Sequence, residues 1–194
     1  MGHGPGADPG PATGGSRWDR LGDEAGLRQA ASSAPNSSVR VGIQGRTGRG
    51  KTHLAVAIAY KAIQNGFTAS FTTAAALIDD LSGASRGGTF REALSRYLQP
   101  HVLVIDEVGY LSYGPDAANV LFHVVNDRHL RGKPMLFTTN KPPLTQWGEA
   151  LHDADLAEAI VDRTLERGRL LILDGPSHRT RHLGLDTEPG HTAN

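Results

Sequence analysis

The sequence contains no cysteine, and its first residues are rich in Gly and Pro. They offer neither the positive start nor the apolar run of a secretory signal. Both absences point to the cytoplasm. Long apolar stretches are missing as well. The best runs, at 54–60 and 102–105, fall far short of the roughly 20 residues that cross a bilayer, so no membrane role is indicated. Charge of one sign is not in excess, because Lys+Arg 20 balances Asp+Glu 20. The whole molecule therefore lacks the basic surplus that announces nucleic-acid binding, and any DNA contact must come from a local patch.

What is present suits one domain. The chain has 194 residues with 38% apolar content, enough to enclose a single core. Residues 1–38 are rich in Gly, Pro, Ala and Ser, with Trp18, Leu21 and Leu27 as the large apolar residues. This composition predicts a mostly disordered tail, in which a short helix at 20–31 has few apolar positions to anchor it. The folded domain is expected at 39–183, followed by a flexible tail at 184–194.

Within that domain, short β-branched runs alternate with helical periodicity, the pattern of βαβ units and a parallel sheet. Strands are expected at 39–44, 67–72, 102–106, 134–139 and 170–173. The clearest helix follows Pro115 and Asp116. There Ala117, Val120, Leu121, Val124 and Val125 share a stripe, while Asn119, Asp127 and Arg128 lie off it. The first strand looks poor, because Val41 and Ile43 alternate with Arg40, Gly42 and Gln44 where a central parallel strand should be apolar on both faces.

Two motifs carry chemistry. Gly45-Arg46-Thr47-Gly48-Arg49-Gly50-Lys51-Thr52 has two glycines separated by four residues, then Lys and a hydroxyl residue, after a strand and before a helix. Such a loop turns successive N–H groups and a helix N-terminus toward phosphate. Lys51 would reach the β- and γ-phosphates of ATP, and the Thr52 hydroxyl would be a ligand of Mg²⁺. The second motif is the apolar strand 102–106, which ends in Asp106 and Glu107 at the sheet edge where open α/β sheets bind ligands. Asp106 would hold Mg²⁺ through its water shell. Glu107 would orient and deprotonate the attacking water, which implies hydrolysis as well as binding. About thirty residues later, another apolar strand closes on Asn140. Its amide can both donate and accept hydrogen bonds and is a candidate γ-phosphate sensor; a turn-forming Asn before Pro142 is the plain alternative.

From Thr138 to Glu149 the run Thr-Thr-Asn-Lys-Pro-Pro-Leu-Thr-Gln-Trp-Gly-Glu resembles the sensor segment of IstB-like ATPases, the helper proteins of bacterial transposition and relatives of the DnaC helicase loaders. Similar stretches are Gly50-Lys51-Thr52-His53-Leu54-Ala55, Phe71-Thr72-Thr73-Ala74, Ile105-Asp106-Glu107-Val108-Gly109-Tyr110-Leu111 and Ala159-Ile160-Val161-Asp162-Arg163. The resemblance implies a three-layer AAA+ P-loop core with a five-stranded parallel sheet in the order 5-1-4-3-2, bringing Lys51, Asp106, Glu107 and Asn140 together. It also implies an ATPase that oligomerises on DNA and engages the transposase of its own element, with Arg163 completing a neighbouring subunit's site. Read without the family, Arg163 is a surface salt bridge.

The departures from the family pattern bear on these expectations. Relatives usually carry a long additional region before the first strand, implicated in DNA binding, where a Gly/Pro/Ser-rich stretch stands here. Arg46 and Arg49 replace small or apolar loop residues, and His178 precedes Arg179 where relatives read Tyr. His178 and His182 lack a third partner for a metal. A local DNA patch is expected at Arg86, Arg91 and Arg96, with Lys61 nearby; a solvated helix face is the alternative. Two other functions stay open: a DnaC-like helicase loader, and a truncated copy with impaired nucleotide binding.

Overall fold

The computed structural model describes residues 39–141, 146–166, 168–175 and 177. The expected tails at 1–38 and 184–194, the helix at 20–31, residues 142–145 of the sensor segment, and His178, Arg179 and His182 lie outside the described residues.

The chain runs β1 (Arg40–Gly45), α1 (Lys51–Gln64), β2 (Ala69–Thr73), α2 (Ala74–Arg86), α3 (Phe90–Leu98), β3 (Val102–Asp106), α4 (Ala117–Leu130), β4 (Met135–Thr139), α5 (Trp147–Leu151), α6 (Ala154–Leu165) and β5 (Gly168–Leu173). Every strand pair is parallel. The sheet order is β2-β3-β4-β1-β5, the expected order read from the other edge. Strand ends differ from expectation by one or two residues. Among the described residues, no helix is long and apolar enough to cross a membrane.

Period-two alternation divides the core between the two sheet faces. Val41, Ile43, Val102, Val104 and Leu136 pack with Ala55, Ala59 and Ala62 of α1. Leu103, Ile105, Met135 and Phe137 point the other way, into the larger core built by α2 to α6. The same parity carries polar residues to chosen faces: Asp106 and Thr138 continue the α1 side, and Thr139 the opposite side.

The polar look of β1 misleads. All six of its residues are buried, and it pairs with β4 and with β5 along its length. Arg40 fits this central position because its guanidinium donates to the Glu166 carbonyl at 2.6 Å, at the end of α6. A second correction concerns α4. Its apolar stripe is buried as expected, but Arg128, read as lying off the stripe, is fully buried too. Its guanidinium donates to four carbonyls, those of Tyr97, Pro100, His101 and Pro134, at 2.7–3.0 Å. Burial pushes the group down to about 10. Hydrophobic periodicity cannot distinguish such an anchored arginine from a solvated one, since its partners come from other elements.

Candidate functional site

The site begins where β1 turns into α1. Gly48 and Gly50 have φ of 83° and 85°, left-handed backbone that glycine adopts without strain. Gly48 has a second constraint, because a Cβ there would run into the Ser177 side chain beyond β5. Gly50 is the N-cap of α1. Among the described residues no side chain caps this end, and no acid stands in the first turn. The first-turn N–H groups and the positive end of the helix dipole thus combine into an anion-binding geometry. Lys51 Nζ reaches back over the loop to the Arg46 carbonyl at 3.1 Å.

The acids arrive from β3. Asp106 is buried, and its two carboxylate oxygens accept from the Thr52 hydroxyl at 3.2 and 3.0 Å. The Thr138 hydroxyl also donates to Asp106 Oδ1. Glu107 is exposed and has a φ of 61°, an uncommon conformation for a residue with a side chain. Its N–H donates to Thr138 Oγ1 at 3.0 Å, and its carbonyl accepts from the Tyr113 hydroxyl at 3.1 Å. Burial pushes the Tyr113 phenol up to about 12, so it stays a donor throughout the physiological range.

Asn140 follows β4, and its buried Oδ1 has no hydrogen-bond partner among the described residues. Just before it, Thr139 donates to the Val108 carbonyl at 2.8 Å and accepts from Trp147 Nε1 at 3.3 Å. These bonds tie the end of β4 to the loop after the acids. Thr52, Asp106, Glu107 and the β4 end therefore meet in one place. Among the described residues, no hydrogen bond or ion pair links Arg163 to them. It sits on α6, donating to Asn126 Oδ1 and to the Ala159 carbonyl, both at 3.0 Å, with its guanidinium 4.8 Å from the centroid of the Phe122 ring.

The expected DNA patch is also altered. Arg96 is held by both carboxylate oxygens of Asp80 at 2.8 Å, and this bond keeps Asp80 below the usual carboxylate range. Arg86 and Arg91 remain exposed at the turn between α2 and α3, and Lys61 is exposed on α1.

With this geometry in place, residues 30–184 match the family described as IstB-like ATP binding protein. The chain belongs to the IstB-like family. It is 39% identical over 144 residues to the ATP-binding protein of insertion sequence IS5376 from Geobacillus stearothermophilus, covering 74% of this chain and 57% of that protein. It is 34% identical over 144 residues to the corresponding protein of IS21 from Pseudomonas aeruginosa, covering 74% and 54%. This IstB-like chain thus spans little more than half the length of the curated relatives it matches. Among solved structures it is similar to the DnaC helicase loader, with a TM-score of 0.67 and 24% identity over 77% of this chain and 87% of that one. The replication initiator DnaA bound to AMPPCP and single-stranded DNA gives a TM-score of 0.65 and 19% identity over 86% and 53%. Both likenesses are of fold.

The sequence motifs named the loop and the acids but missed Thr138, Thr139 and Tyr113. The available signal was strand parity, since counting back by two from Asn140 selects Thr138; its place beside the acids comes from the ladder, one step past the Ile105–Phe137 pair.

Proposed function

We propose that this IstB-like chain is an ATP-hydrolysing helper of insertion-sequence transposition, working in the cytoplasm, oligomerising on DNA and engaging the transposase of its own element. The observation that carries the reading is the meeting of Thr52 with both oxygens of Asp106 at 3.0–3.2 Å, which joins the glycine loop to the acidic strand end. The donors fit Mg²⁺, since a hydroxyl and a carboxylate are the hard oxygen groups this ion takes alongside nucleotide phosphates. Bound with ATP, Mg²⁺ supplies charge neutralisation at the β- and γ-phosphates.

The protein's own groups do the rest. The N–H groups of residues 45–52 cradle the phosphates, and Lys51 adds a mobile charge toward the β- and γ-groups. Glu107 orients a water and takes its proton. The buried Asn140 Oδ1, unpartnered among the described residues, belongs to an amide suited to contacting that water or the γ-phosphate. Arg163 acts across a subunit boundary, its planar charge directed at a neighbour's phosphates. A helicase-loading role would use the same residues with another partner; the family match at 30–184 favours transposition.

An ATPase assay with and without DNA tests the reading on the whole chain. Wild-type protein should gain thermal stability with millimolar MgATP and turn it over. Lys51→Ala should lose nucleotide binding, whereas Glu107→Gln should bind ATP within about 3-fold of wild type while turnover falls by about 100-fold or more. Wild-type protein indifferent to MgATP, or undiminished hydrolysis in Glu107→Gln, would remove the proposal.

A further inference from the structure

We propose that Thr138 is a positioning residue that fixes both acids at the end of β3 and thereby sets the Mg²⁺ response and the turnover rate. The proposal rests on the ATPase reading above for what those acids do. Its geometry stands independently.

A hydroxyl has one proton and two lone pairs, so it can donate and accept at once. Thr138 does both. It gives its proton to Asp106 Oδ1 and receives the Glu107 N–H at 3.0 Å. Its backbone carbonyl receives the Val108 N–H at 2.9 Å, so one residue of β4 engages three consecutive residues of the acidic segment. Thr138 is fully buried, and bulk water cannot replace these bonds. Glu107 has left-handed backbone, and the bond from its N–H helps hold a conformation that a side-chain-bearing residue does not take by default. Asp106 Oδ1 is shared between Thr52 at 3.2 Å and Thr138. The carboxylate is therefore held from β4 on one side and from the start of α1 on the other.

The two contacts assign two effects. Fixing Asp106 governs how well a metal-bearing nucleotide is distinguished from a bare one. Fixing the Glu107 backbone governs the direction of the base and hence turnover. Thr138 acts through Asp106 and Glu107 rather than by touching substrate or water. Valine matches threonine in shape and has no hydroxyl, which makes Thr138→Val the informative substitution. Thr138→Ser restores the hydroxyl, and Thr138→Ala removes it with a smaller side chain.

The test uses the full chain of each variant. Affinity for a fluorescent ATP analogue is measured with Mg²⁺ and with EDTA, beside kcat, KM and the melting temperature. Thr138→Val should lower kcat by about 10- to 100-fold, the usual loss for a residue that supports a metal ligand, and raise the KM for MgATP by about 10-fold. The gain in nucleotide affinity that Mg²⁺ gives should shrink by about 10-fold, with affinity in EDTA unchanged. Thr138→Ser should stay within about 3-fold of wild type in every readout. Should Thr138→Val melt below the assay temperature, Thr138→Ala carries the same expectation. Wild-type kcat and Mg²⁺ response in the folded hydroxyl-free variants would overturn the proposal, as would Thr138→Ser failing alongside them. Wild-type protein without Mg²⁺-dependent binding or turnover would instead remove the ATPase reading, and this proposal with it.

Discussion

Gly109 has a φ of 74°, and a Cβ there would stand 3.0 Å from Trp147 Cδ1. Gly66 has a similar φ of 86° with nothing within 4 Å of the same added atom. The pair separates backbone strain from crowding. Gly66→Ala should cost only the left-handed penalty, roughly 1 kcal/mol. Gly109→Ala should cost that and a further 1 kcal/mol or so for displacing a fully buried indole, because Trp147 donates to Thr139, which in turn holds Val108. Urea midpoints measure the difference, and equal losses in the two variants would refute the indole's role. The residue scale is also where sequence reading ran short. Lys51, Asp106 and Glu107 stand in motifs whose spacing announces them, whereas Thr138 stands inside an apolar strand where threonine is an ordinary β-former. Its partners lie thirty or more positions away in sequence, and only the strand pairing brings them together.

At the scale of elements, periodicity located the strands and the helix α4 because burial on one or both faces leaves a pattern in the chain. It failed where polar groups are buried with partners from elsewhere. β1 alternates Arg, Gly and Gln with its apolar residues and is nonetheless central, since Arg40 is anchored at the end of α6. Arg128 likewise ties α4 to the end of α3, to the residues leading into β3, and to the residue before β4 through four carbonyls. Replacing it by leucine takes a donor from all four carbonyls, of which that of Pro134 keeps the Leu103 N–H, so Arg128→Leu should lose roughly 3–5 kcal/mol. For a domain of this size that is a fall in melting temperature on the order of 10 °C. Calorimetry checks this, and a fall of only about 1–2 °C would mean that the carbonyls find other partners.

For the molecule as a whole, the equality of 20 basic and 20 acidic residues rules out attraction to DNA through net charge, so the proposed DNA contact depends on which cations are free of acids. Arg96 is held by Asp80 and has little charge left to offer a phosphate. Arg86 and Arg91 are both exposed, five positions apart across the turn between α2 and α3, and neither makes an ion pair among the described residues. If this turn meets the DNA backbone, each arginine displaces about one counterion, and log affinity falls with log salt by about 0.9 per duplex phosphate contacted. The double variant Arg86→Ala/Arg91→Ala should therefore flatten the salt dependence of duplex binding by about 2 units. Arg96→Ala frees the Asp80 carboxylate nearby and should weaken binding slightly without changing that slope. Fluorescence anisotropy across a salt series measures both, and an unchanged slope in the double variant would locate the DNA contact elsewhere on the chain.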